Sequence, residues 1–281
     1  FELLIINDGS TDGTLRIIEG FADPRIVIHN QPNRGVAAAL NTGLALARAP
    51  YIARFDADDI CYRQRLQLQY NFMLSNPGYS IIGSAADYVD AEGNFIFMQP
   101  PAGYTNQELQ ALSYECCAFI HSTVFYKKEV ILENGGYNEN AYTFEDHFLW
   151  ASILPGKKVC NLPLPLIKVR FNPDSVTIDE RWHPARFRSI KYNAIKNKSI
   201  SARQFAQLQE LRRMHISPAI KEAAYYAMCG KKFLLNNYNP LKARTYFIKA
   251  IGICPARIDN YLLLLASYLP TSVISWLHYG S

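Results

Sequence analysis

The chain opens on a continuous apolar run, Leu3-Leu4-Ile5-Ile6, which stops at the turn formers Asn7-Asp8-Gly9-Ser10; this is the pattern of a short strand buried on both faces. Thr11 or Asp12 can cap the helix that follows. Leu15, Ile17 and Ile18 give that helix an apolar side, and Gly20 and Pro24 close it. Residues 25–29 repeat the strand pattern, 35–48 read as an alanine-rich helix, and 51–55 read as a third strand. Strands alternating with helices at this spacing predict a parallel sheet covered on both faces. Further along, 63–75 has helical periodicity, whereas 80–83 and 95–97 carry strand patterns, with Gly93-Asn94 as a turn before the second.

The texture changes near Pro184. Amphipathic helical stretches follow at 186–197, 202–214, 218–236, 240–253 and 257–269, punctuated by Pro218, Pro240 and Pro255. They show no internal repeat. The division this predicts is an α/β domain over residues 1–183 and a helical region over 184–281.

Composition narrows the class. With 49% hydrophobic and 19% charged residues and no low-complexity block, the chain of 281 residues is globular and long enough for one full domain plus an appended unit. The net charge is +5, and the basic excess falls late, from Arg181 through Lys221. These cations lack interleaved aromatic platforms, which argues against nucleic acid and leaves a solvated helix face or a membrane-facing surface. The six cysteines include the adjacent pair Cys116-Cys117 but no CxxC spacing, so neither a zinc site nor a disulfide framework is indicated, and a reducing, cytoplasmic setting fits. The most apolar stretch, 261–277, is broken by Ser267, Pro270, Thr271, Ser272 and Ser275. It reads as a core or interfacial segment rather than a membrane span.

The chemistry concentrates where the third strand runs into Asp56-Ala57-Asp58-Asp59. Ligands of parallel α/β sheets gather at the carboxyl ends of strands, so Asp8 and this cluster fall on the side where a site is expected. Carboxylates at this density suit a hard divalent cation, Mg²⁺ or Mn²⁺, that bridges a ligand's phosphates. The competing interpretation is an Asp-rich turn in which Asp58 or Asp59 caps the next helix.

Several segments together resemble the inverting family-2 glycosyltransferases. Residues 1–14, from Phe1 through Asn7-Asp8-Gly9-Ser10-Thr11-Asp12-Gly13-Thr14, are similar to the family's second strand and its DDGSTDGT turn, with Asn7 in place of the first aspartate. Asn33-Arg34-Gly35 with Ala37, Ala38 and Asn41 resembles the segment that passes the donor, and residues 51–59 resemble the strand that ends in DxD. The likeness continues through Gly135-Gly136-Tyr137, Thr143-Phe144-Glu145-Asp146 and Ile167-Lys168-Val169-Arg170, covering about residues 1–178. It implies a GT-A fold, a Rossmann-like, mainly parallel sheet with helices on both faces, followed here by a C-terminal helical appendage. Family members begin one strand earlier than this chain. The expectation for the sheet as it stands is an unpaired edge and a donor pocket short of one wall, with poor solubility or no turnover.

The resemblance also implies roles. Asp8 would accept a hydrogen bond from the imide N–H of a uracil or thymine ring, although an Asx turn would use the same residue. Asp56 would contact the ribose or a metal-bound water and Asp58 the metal, with Asp59 as its rival in a run that admits two registers. Arg34 and Arg54 are candidate phosphate partners or structural ion pairs. Asp146 matches the family's base, with Glu145 as close rival; acidic residues at a helix N-terminus offer the plainer explanation. His121 falls on a predicted strand and is either acceptor-side or a core histidine. Trp150 packs beneath the site or stacks on a sugar. Arg170, with Asn172 and Ser175, resembles a closing loop over the diphosphate, and Arg181, Trp182 and His183 follow as further candidates. The expected activity is inverting, metal-dependent transfer of a sugar from a UDP- or dTDP-sugar to a hydroxyl of a glycan or lipid-linked acceptor in cell-surface polysaccharide synthesis. Contact with the inner membrane face is expected through the basic helices and 261–277. The alternatives are a nucleotidyltransferase and a non-catalytic nucleotide-sugar-binding module.

Overall fold

The structure is a computed structural model that describes residues 1–173, 175, 184–212, 217–236, 239–270 and 272–274. Arg181, Trp182 and His183, and residues 271 and 275–277 of the apolar C-terminal stretch, lie outside the described residues.

The first half alternates as the apolar runs require: β1 (Leu3–Asp8), α1 (Thr14–Glu19), β2 (Ile26–Gln31), α2 (Val36–Leu46), β3 (Tyr51–Ala53), β4 (Ile60–Cys61) and α3 (Arg65–Ser75). After these come β5 (Tyr79–Val89), β6 (Phe95–Gln99), α4 (Asn106–Leu112), β7 (Phe125–Lys127), α5 (Lys128–Glu133), α6 (Glu145–Ile153) and β8 (Lys158–Arg170). β1 and β2 pair in parallel as a two-stranded unit, and the remaining strands form a six-stranded sheet in the order β3-β7-β5-β8-β4, with β6 beside β5. β5 and β8 are parallel; the other pairings of the larger sheet are antiparallel. β1 is half-buried rather than covered on both faces.

Helices cover both faces of the larger sheet, as alternation along β5 demands. Ile81 packs with Leu44 of α2, Val130 and Ile131 of α5 and Trp150 of α6, while its neighbour Ile82 packs with Met73 of α3. β8 has to bend. Its Pro163 and Pro165 cannot donate to a ladder, and the register against β5 slips there, from Ser84 opposite Leu162 to Ala85 opposite Pro165. Beyond the slip β8 pairs with β4, Ile60 opposite Lys168, which brings the end of β8 alongside the aspartate loop.

The five C-terminal helices appear close to their predicted positions: α7 (Ala185–Asn197), α8 (Ala202–Arg212), α9 (Pro218–Leu235), α10 (Pro240–Ile253) and α11 (Ile258–Ala266). They are packed onto the α/β part through two clusters. Phe187, Ile190 and Ala194 of α7 meet Phe144 and Phe148 around the start of α6, and Tyr225, Met228 and Phe233 of α9 meet Ile96, Phe97 and Phe171. Among the described residues no helix is long and apolar enough to cross a membrane.

Candidate active site

The turn after β1 and the loop before α2 are built around Asp8. Its carboxylate accepts from Gln31 Nε2 at 2.7 Å, the Arg34 amide at 2.9 Å and the Gly35 amide at 2.8 Å. Burial opposes its ionisation, but these three donors outweigh burial and leave its pKa lowered. Gly9 is required here: φ is +75°, and a Cβ would fall 2.7 Å from the Asn33 amide nitrogen. Asn7, in the place of the family's first aspartate, donates to Asn30 Oδ1 and accepts from the Ser10 amide, closing the same turn. Arg34 extends from this loop into solvent and reaches Glu139 at 3.4 Å.

The second group lies at the end of β3. Arg54 is 6% exposed and forms an ion pair with Asp56, the structural ion pair that is one of its expected roles, and its Nε has no partner. The Asp56 and Asp146 charges both act on this guanidinium, offsetting burial. The strand end is braced from beneath by α3, where buried Arg65 donates to the Arg54 carbonyl at 2.7 Å and Gln69 donates to the Thr123 carbonyl at 2.8 Å.

Ser122 joins the aspartates. Its hydroxyl oxygen is 2.8 Å from Asp56 Oδ2 and 2.5 Å from Asp59 Oδ2. A hydroxyl has one proton, so Ser122 can donate to only one of these two carboxylate oxygens at a time. Burial raises Asp59 to about 6 against the hydrogen bonds from Ser122 and the Arg170 amide, and the charges of Asp56 and Asp58 add to the rise. Asp59 Oδ1 accepts from that amide at 3.0 Å, so both oxygens of Asp59 are engaged. Asp58 is exposed to solvent.

Donor chemistry decides how a divalent ion fits. Mg²⁺ and Mn²⁺ keep several waters and take one or two carboxylates plus phosphate oxygens. Asp58 and the free oxygen of Asp56 suit that set, and among the described residues no three His, Cys, Asp or Glu side chains form a cage. Asp59, expected as a metal ligand, is instead committed to Ser122 and the Arg170 amide.

Glu145 and Asp146 begin α6, where the helix dipole favours negative charge. Glu145 is 9% exposed, and burial, then the neighbouring Asp146 charge, push it up to about 7. Asp146 Oδ1 accepts from the His147 amide at 2.6 Å and Oδ2 from the Cys117 thiol at 3.4 Å. His121 lies in a 3-10 turn, His121–Thr123, and not on a strand; its Nε2 is 3.0 Å from the Tyr137 hydroxyl. Burial and the Arg54 charge hold its pKa well below the ordinary value, so the imidazole is neutral. Trp150 is fully buried among Phe119, Tyr126 and Tyr137 and cannot stack on a sugar, which removes it from the acceptor side. Arg170 donates from Nε to the Asp58 carbonyl at 3.0 Å and from Nη1 to the Ala91 carbonyl at 2.5 Å, which makes it a clamp on two loops rather than part of a lid. Ser122 and Arg65 are the site residues that sequence patterns did not single out.

The sheet, its helices and the carboxylates gathered at its edge define a GT-A glycosyltransferase fold. The family model for Glycosyl transferase family 2 matches residues 1–135. The amylovoran biosynthesis glycosyltransferase AmsE of Erwinia amylovora is 30% identical over 186 residues, covering 65% of this chain and 69% of AmsE. The chain belongs to glycosyl transferase family 2. Across three further relatives it spans 25%, 64% and 41% of their length. Among solved structures, S. aureus TarS 1–349 in complex with UDP-GlcNAc superposes with a TM-score of 0.54 at 15% identity, covering 100% of this chain and 83% of that one. The mannosyltransferase PcManGT from Pyrobaculum calidifontis, in complex with GDP-Man and Mn²⁺, gives 0.50 at 18% identity, covering 99% and 74%.

Proposed function

We propose that the chain transfers a sugar, with inversion, from a UDP- or dTDP-sugar to a hydroxyl of a glycan or lipid-linked acceptor during polysaccharide synthesis. The observation that supports this reading is a pair of held acids: Asp56, ion-paired with buried Arg54 and bonded to Ser122, and Asp146, whose two oxygens accept from the His147 amide and the Cys117 thiol. Asp146 is the general base that takes the acceptor's hydroxyl proton, and its two held oxygens fix its direction. Asp8 and Arg34 hold the nucleotide end, with Arg34 presenting donors to the diphosphate from an exposed position. Asp58, with Asp56, would hold a Mg²⁺ or Mn²⁺ ion, which neutralises charge on a departing diphosphate. Asp59 and Arg170 support the loop that carries Asp58. His121 stays neutral near the acceptor side. PcManGT, with Mn²⁺ in its complex, supports metal use, and AmsE supports a polysaccharide setting.

Family membership sets aside the nucleotidyltransferase and binding-module alternatives. The direct test is nucleotide release from a panel of UDP- and dTDP-sugars with and without Mn²⁺, followed by NMR of the product's anomeric carbon. Release that is independent of metal, or retention of configuration, would contradict the reading.

Peripheral contact with a membrane surface is a second part of this reading, motivated by α11. Ile258, Tyr261, Leu262 and Leu265 form an exposed stripe on α11 that Tyr268 and Leu269 extend, and residues 184–281 carry fifteen Lys and Arg against Glu210, Glu222 and Asp259. An apolar stripe on a basic helical region suits peripheral contact with an anionic bilayer. Flotation with vesicles containing phosphatidylglycerol, abolished by Leu262→Glu with Leu265→Glu, is the expected result; no flotation of the unaltered protein would exclude the contact.

A further inference from the structure

The segment between α4 and the 3-10 turn carries the thiol that holds one oxygen of Asp146. Cys117 Sγ is 3.4 Å from Asp146 Oδ2 and 3.3 Å from the Phe119 carbonyl oxygen. The thiol is fixed by its surroundings. The Ala118 carbonyl accepts from Asn161 Nδ2 at 2.9 Å, and the Ser113 carbonyl lies 3.2 Å from the His147 ring nitrogen, tying the segment to β8 and to α6. With His147 N–H on Oδ1 and the thiol on Oδ2, each oxygen of Asp146 has one donor from the protein.

One S–H proton faces two acceptors, and the charge on Asp146 decides between them. An ionised carboxylate is a stronger acceptor than a neutral carbonyl, whereas a protonated carboxyl is a weaker one and carries its own O–H. Donation needs the neutral thiol. Burial, and then the Asp146 charge, push the Cys117 thiol well above its ordinary value, while Lys191 of α7 opposes them. Arg54, Glu145 and Tyr137 are further charged or titratable groups that feel the Asp146 charge.

We propose that Cys117 is a positioning residue for the base: its S–H holds Asp146 Oδ2 while the carboxylate is ionised, and turns to the Phe119 carbonyl once Asp146 has taken the acceptor's proton. The thiol proton itself is never transferred; the proton that moves goes from the acceptor hydroxyl to Asp146. This rests on Asp146 as the base, and the two ideas separate in the test.

Cys117→Ala, Cys117→Ser and Asp146→Asn are compared in the full protein, with thermal melts to verify folding. Turnover is read as UDP release from UDP-glucose, UDP-galactose and UDP-N-acetylglucosamine. Cys117→Ala should lower kcat about tenfold with donor KM unchanged, and Cys117→Ser, which keeps a donor, should recover most of it. Independently of turnover, the infrared S–H stretching band that Cys117→Ser removes should shift in Asp146→Asn. An unchanged kcat in Cys117→Ala, an equal loss in both cysteine variants, or an S–H band that ignores Asp146→Asn would overturn the positioning role. Wild-type turnover in Asp146→Asn would instead overturn the base assignment.

Discussion

Asn41 and Tyr137 hold each other by two hydrogen bonds: Asn41 Nδ2 donates to the Tyr137 carbonyl and the Tyr137 amide donates to Asn41 Oδ1, both at 2.8 Å. The pair ties α2, which follows the donor loop, to the segment leading into Asp146. Gly136 makes room for it, with φ at +74° and a Cβ position 2.6 Å from Asn41 Oδ1. Gly136→Ala is predicted to destabilise the protein by about 1–3 kcal/mol, read as a lower midpoint in denaturant. An unaltered midpoint would mean the loop adapts without cost.

Ser122 is predicted to matter through the two aspartates it bridges. In Ser122→Ala, Asp56 and Asp59 lose their shared partner, and the loop bearing Asp58 is no longer fixed from below. Calorimetry should find UDP binding in the presence of Mn²⁺ weakened by about tenfold, the scale of a lost hydrogen bond to a charged group. Undiminished affinity would assign Ser122 to packing alone.

Glu145 sets a pH dependence whose sign is fixed by burial. Its pKa is raised to about 7 in the folded protein, so between its unfolded value and 7 the folded state binds more protons than the unfolded state. Stability from this group is present at acid pH and lost as pH rises through 7. Glu145→Gln should therefore raise the melting temperature at pH 8 by roughly 5 °C and leave it nearly unchanged at pH 5. A fall at pH 8 would mean that the charged form is stabilised by a partner instead.

Much of the fold was legible because burial is written as periodicity. The apolar run Leu3-Leu4-Ile5-Ile6 gave β1, and Pro218 and Pro240 mark the first residues of α9 and α10. Sheet order was not legible, since the same alternation serves parallel and antiparallel neighbours; β3 pairs with β7 across more than seventy residues of sequence. His121 and Ser122 read as strand because apolar residues flank them. The turn they form instead brings the Thr123 carbonyl to Gln69 of α3, while Arg65 beside it reaches Val124, and no local pattern encodes partners so distant in sequence. Arg54 did carry a signal, a charge between Ala53 and Phe55 in an otherwise apolar strand, but its burial and its ion pair with Asp56 become visible only in three dimensions. The candidate base and metal-side aspartates were read from motif likeness, whereas the different surroundings of exposed Asp58 and of Asp59, held by Ser122 and the Arg170 amide, were not.

The most direct measurement of the account is a paired one on Asp146→Asn: UDP affinity by calorimetry with Mn²⁺, and nucleotide release from the sugar donor that the unaltered enzyme turns over. Loss of the base should reduce release by roughly 10²–10⁴-fold while UDP affinity stays within a factor of two. Turnover equal to that of the unaltered protein would contradict the account.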